Sequence, residues 1–302
     1  MLRLRSCAVS HVTRHSISGH AYRYTWLNRS PIALRWQSTG TLTEEVPLEG
    51  PAVTQTNRAE ATMKRFWKTV GIEDRGDSLA VTLDKRALKT PDGKPLLVPA
   101  SKSLLATLIA AEWDHQKTLI KPHALPVTSL ASRAIDAMSS EPTRVEVREA
   151  LLNYLDTDTI CFFEKTTPQI ERLQAEHWDP LFEWVEKTFG VNLNKHESIL
   201  FSEQPQETRQ KLGDVISGFD QWQMAAMERA TYTTKSFVIA LALVLRRLSP
   251  EQAALAASVE VNSQIERWGE VEDTHDVDYH DIRRHLSSAA SLLSGSSPKQ
   301  TV

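Results

Sequence analysis

FVIALALVL, residues 237 to 245, is the stretch that decides the fold. Its nine residues leave no polar position for a solvent-facing side, and Lys235 before it and Arg246 with Arg247 after it close the run. Crossing a bilayer as a helix takes about 20 such residues, so this segment is too short to span one. A short helix that is apolar all round is instead the buried centre of a bundle, and the neighbouring segments must supply the helices that surround it.

Downstream, Ser249, Pro250, Glu251 and Gln252 form a capping box with proline at the first helical position. They open a helix expected to run through Trp268 and to stop at Gly269. Upstream, Val147, Leu151, Leu152 and Leu155 share one side of a helix over 144–155. Asp179 and Pro180 read as the N-cap and first-turn residue of a helix ending at Gly190, with Phe182, Val185 and Phe189 as its core stripe. Strand signals occur only before about Met138. Leu79, Val81 and Leu83 alternate with polar neighbours, Thr90, Pro91, Asp92 and Gly93 suit a type I turn, and Leu96, Leu97 and Val98 return, which gives a small antiparallel sheet. Pro99 and Ser101 then introduce a helix of about 16 residues, with Ser101 as N-cap and Leu104, Leu105, Leu108, Ile109 and Trp113 as its apolar side. The expected class is α+β. A small β-rich N-terminal domain with one helix occupies 61–140, and an all-α helical C-terminal domain occupies 141–285. The Ser-rich stretch 286–302 is expected to be a disordered tail.

The 302 residues are 41% hydrophobic and 24% charged, as in an ordinary globular protein. The two cysteines, Cys7 and Cys161, exclude a disulfide framework and a cysteine-cluster metal site. Residues 1–37 hold six arginines and three histidines, and the first carboxylate of the chain is Glu44. That is the composition of a mitochondrial transit peptide. Residues 38–60 are polar and punctuated by proline and glycine, a flexible lead. Without residues 1–37 the chain has 29 basic residues against 38 acidic ones, a net charge of −9. Such a surface is unsuited to binding a nucleic-acid backbone.

No phosphate-binding loop, nucleophile elbow or metalloprotease helix motif occurs in the chain. Glu112 falls in the middle of an apolar helix face, with Leu105, Leu108, Ile109 and Gln116 within about 60° of it. A carboxylate there needs an arginine, such as Arg133 or Arg86, or a set of backbone amides. Asp156 and Asp158 stand two apart between threonines; they cap a turn, or, if the segment is extended, share a face as a cation site or an acid and base pair. Glu260 lies on the border of an apolar stripe, with Ala253, Ala257, Gln264 and Trp268 within about 80° on one side, and faces either its own fold or a partner. In the segment from Glu272 to His285, Asp276 and His280, and Asp281 and His285, are four apart, which suits either metal ligands or a solvated charged helix. The eight tryptophans fill a core or anchor an interface.

Six blocks then carry a resemblance: KRFWKTVGIE, LDKRALKTPDGKPLLVP, AEWDHQKTLIKP, LLNYLDTDTICFFE, EHWDPLFEWVEKTFGV and QIERWGEVEDTHD. In order and spacing, from about Arg65 to His285, they are similar to the mitochondrial assembly factors that chaperone the α subunit of the ATP synthase catalytic head. The resemblance implies a matrix protein with no catalytic activity and no cofactor. It implies a partner, the unassembled α subunit, whose surface for β it covers until the ring forms. It assigns client binding to Glu260, with Gln264 and Trp268 beside it, and Asp156 and Asp158 are counted in the same set. Glu112 and Trp113 are assigned to folding. Two other classes stand beside this one: a metal- or carboxylate-dependent matrix enzyme, and a resident subunit of the finished synthase.

Overall fold

The computed structural model describes residues 64–197 and 203–295, all within one compact unit, Val53–Val302. Strand β1 (Val70–Asp74) runs antiparallel to β2 (Ser78–Leu83), which pairs on its other edge with β3 (Arg86–Ala87) and β4 (Leu97–Pro99). The register places Val70 opposite Leu83, and Leu79 opposite Val98. Strict alternation does not hold along β2: Ala80 and Val81, on opposite faces, are both fully buried. The turn at Thr90 forms as its sequence predicts, the Gly93 N–H donating to the Thr90 carbonyl at 2.8 Å.

Helix α1 (Ser103–Asp114) covers the sheet, packing on β1 and β2. Ser101 does not cap it; a 3-10 turn, Ala100–Lys102, intervenes, and Leu104 points to solvent. Then follow α2 (Pro126–Asp136), α3 (Glu141–Leu152), α4 (Pro168–His177), α5 (Asp179–Phe189) and α6 (Gln206–Ser217). Asp179 is the first residue of α5 rather than its cap, and its carboxylate pairs with Lys195 at 2.9 Å. Gly190 ends α5 in the left-handed conformation that a side chain would strain.

Helix α7 (Gln221–Thr234) leads into α8 (Phe237–Val244), every residue of which is buried. The apolar run is the centre of the helical layer: α8 packs on α7, on α5 and on α9 (Pro250–Ala257). The capping box at Ser249 forms with both reciprocal bonds, 2.9 and 3.2 Å. The helix it opens does not run to Trp268. It breaks at Ser258 and resumes as α10 (Val259–Trp268). The Ala256 carbonyl, which would take the Glu260 N–H in an unbroken helix, accepts the indole N–H of buried Trp178 at 2.8 Å.

The expectation of disorder from Leu286 does not hold over residues 286–295; the rest of that stretch, 296–302, lies outside the described residues, as do the expected transit peptide 1–37 and flexible lead 38–60. Helix α11 (Thr274–Leu292) crosses α7, α2 and α9, and Leu286, Ala289, Leu292 and Leu293 are buried. Small residues such as Ser288 and Ala289 let the helices approach closely, so a Ser-rich composition here marks packing. Apolar side chains from the sheet and the helices join in one continuous core.

Candidate functional site

Helix α4 starts with Thr167 as N-cap, its hydroxyl accepting the Ile170 N–H at 3.4 Å, and with Pro168 at the first position. Helix α10 lies against it, buries Val259 and Ser263, and is clamped by Arg172, which donates to both oxygens of Glu266 at 2.7 and 2.9 Å. With that face buried, Glu260, Gln264 and Trp268, spaced four apart, point outward together. Trp268 is 69% exposed, an unusual position for so large an apolar group, and the Arg267 guanidinium lies 4.8 Å from the centre of its ring.

Between α10 and the segment before α4 is a cleft of 180 Å³, lined by Glu164, Thr166, Ile170, Glu260, Ser263 and Trp268 among others. Gly269, with φ of 87°, turns the chain out of α10 into an acidic stretch. Here Glu270, Glu272, Asp273, Asp276 and Asp278 are exposed alongside Val271, Val277 and Tyr279. The result is a surface of apolar and aromatic groups set among carboxylates. Glu164 was not singled out in the sequence. The Thr167 and Pro168 helix start is legible there, but the approach of α10, some 94 residues along as the Arg172 to Glu266 pair shows, is not.

The structure brings together Glu260, Gln264 and Trp268 and does not bring Asp156 or Asp158 to them. Asp156 accepts the Gln204 N–H at 2.9 Å and pairs with Arg209 at 3.2 Å. Asp158 has no exposed surface and sits at the N-terminus of α8, accepting N–H bonds from Val238 at 3.0 Å and Ile160 at 3.2 Å. Burial holds its carboxyl up at about 6 against those bonds. A client cannot reach it, so its inclusion among the client-binding residues is corrected on burial; its carboxylate caps a helix and a turn instead.

Glu112 meets backbone amides, not arginine. It accepts from the N–H groups of Val127 at 2.7 Å and Thr128 at 2.8 Å and from the Thr128 hydroxyl at 2.6 Å, and burial raises its pKa. Arg133, one partner expected for it, instead makes a two-pronged pair with Glu228 at 3.0 and 2.8 Å. The Trp113 indole N–H donates to the same Thr128 hydroxyl at 3.2 Å. Burial likewise raises the Cys161 thiol, away from the range of a reactive thiolate. Among the described residues no three His, Cys, Asp or Glu side chains gather as a metal site, and no helix is long and apolar enough to cross a membrane.

The ATP12 chaperone protein family model matches residues 64–186. Protein atp12, mitochondrial, of Schizosaccharomyces pombe is 36% identical over 241 residues, covering 77% of this chain and 83% of the relative. Protein ATP12, mitochondrial, of Saccharomyces cerevisiae is 33% identical over 285 residues, covering 80% and 87%. Among solved structures, Atp12 from Paracoccus denitrificans superposes with a TM-score of 0.68 at 26% identity, over 79% of this chain and all of that one. A protein of Agrobacterium tumefaciens gives 0.68 at 28% identity, over 82% and 92%.

Proposed function

This chain belongs to the ATP12 chaperone family, and on that premise we propose that it binds the unassembled α subunit of the mitochondrial ATP synthase catalytic head, masks the surface α later gives to β, and so promotes assembly of the head in the matrix. The matched family model is that of a chaperone protein. The observation that carries the reading is the exposed Trp268, with Val271, Val277 and Tyr279 among carboxylates at the end of α10 and the start of α11. An unassembled subunit exposes apolar surface meant for its neighbour, and such patches aggregate. Aromatic anchors cover that surface, and carboxylates orient the complex and speed encounter without consuming ATP. Release needs only that β compete for the same surface with higher affinity. The mature net charge and the composition of residues 1–37 support the matrix location. In the proposed division of labour, 61–140 forms a β-rich domain and 141–285 the client-binding helical domain.

The test is a pull-down from detergent-free matrix with the tagged mature chain, followed by addition of β. Free α is expected on the beads and is released by β. Glu260→Lys, at an exposed position, is expected to lose most α binding with its thermal midpoint unchanged. Recovery of α and β together would mark a resident subunit, and recovery of neither would sink the reading.

A further inference from the structure

The cleft between α10 and residues 164–167 has a chemistry more specific than the surface around it. At 180 Å³ it is below the 300 Å³ at which pockets for small-molecule ligands begin, and it suits one long side chain. Carboxylates of Glu164 and Glu260 line it from two different segments. Neither is in an ion pair among the described residues. Arg267 also lines the cleft, yet its guanidinium lies over the Trp268 ring and pairs with neither.

Ser263 supplies an independent sign. It is only 7% exposed and lines the cleft, yet its hydroxyl has no hydrogen-bond partner among the described residues. A buried serine within a helix ordinarily turns back onto the carbonyl four residues before it, as Ser288 does onto Arg284 at 2.7 Å. Ser263 does not; its hydroxyl is not sealed from solvent but opens into the cleft. There it is open to a donor or acceptor from outside the chain.

Resting on the client-binding reading above, we propose that this cleft receives the guanidinium of an arginine side chain projecting from the client. Two carboxylates, that of Glu164 already accepting the Thr166 hydroxyl through one oxygen at 2.5 Å, the Ser263 hydroxyl and the Gln264 amide oxygen offer several acceptors around one small volume. The planar fork of five N–H donors on arginine satisfies such a set better than the point charge of lysine. The apolar contacts of Trp268, Val271 and Tyr279 then supply area around the anchored cation, and the cleft fixes the register in which the client is held.

The experiment measures the Kd of the full mature chain for isolated α subunit in four variants. Glu164→Gln and Glu260→Gln each remove one charge, and each is expected to weaken binding about tenfold, as loss of a charged hydrogen bond does. The double variant is expected to fall short of a hundredfold loss, because both carboxylates hold the same cation. Ser263→Met fills the cleft without changing charge and is expected to weaken binding at least tenfold; Glu164→Gln, at an exposed position, carries the test if Ser263→Met lowers the thermal midpoint. Native affinity in Glu164→Gln, with weakening confined to Glu260→Gln, overturns the cleft proposal while leaving the client-binding face in place. Native affinity in every variant overturns both.

Discussion

At the scale of single residues, Asp158 is where burial and hydrogen bonding pull hardest against each other. It has no exposed surface, and its carboxyl titrates at about 6 against an ordinary 3.8 because desolvation outweighs the bonds from Ser236, Val238 and Ile160. The folded chain therefore keeps this proton at a pH where the unfolded chain has lost it. The stability due to the group is fully present below about pH 4 and is lost as pH rises through about 6, by about 3 kcal/mol. Asp158→Asn removes the titration. Urea unfolding of both proteins from pH 4 to 7 is expected to show the native chain losing ground to the variant as pH rises; a gain would mean that the hydrogen bonds outweigh burial. The capping preference of Asp and Thr is legible from local sequence. The burial is not, because the Val238 amide lies 80 residues away.

The helices repeat this division between local and distant causes. The capping box at Ser249 and the left-handed Gly190 could be read from sequence because every atom involved lies within a few residues. Helix α2 could not be read so. Its cap position is Leu125, which has no side-chain acceptor, and the missing acceptor comes from Glu112 of α1. Glu112→Ala leaves two amides of the first turn unsatisfied and is expected to cost about 2 kcal/mol in denaturant unfolding. An unchanged midpoint would show that water replaces the carboxylate. The break at Ser258 has the same kind of origin: the sequence pattern is that of one helix, and Trp178 takes the carbonyl that would continue it. β1, mostly exposed on an outer edge of the sheet, offers too little burial for its alternation to stand out in VGIED.

Across the whole molecule, the sheet layer and the helical layer are joined at the end of α11. The Lys102 ammonium, buried at the N-terminus of α1, donates to the carbonyls of Leu292 at 2.6 Å and Ser294 at 3.2 Å, and Arg246 donates to Leu293. Gly295 passes so close to the Ser101 carbonyl that a Cβ would lie 1.8 Å from its oxygen. Gly295→Ala must shift backbone and also strains a φ of 74°. Leu292→Ala is expected to cost about 2 to 5 kcal/mol by emptying a fully buried site. Both variants should lower the thermal midpoint of the entire unit in a single transition. A separate early transition confined to α11 would mean that the layers melt independently. The small N-terminal sheet and the helical rest were legible from strand alternation and helical period. The seam between them was not, because it is made by a lysine, an arginine and a glycine with no periodicity to announce it.

That seam also sets a timetable. A polypeptide made from its N-terminus delivers Lys102 some 190 residues before the carbonyl it must grip. Contacts that span so much sequence form late, since the intervening loop must be closed first. During synthesis the β strands and α1 are present while the end of α11 that Lys102 binds is still absent, so the nascent chain passes through an interval with the same kind of uncovered surface that it is proposed to shelter in its client.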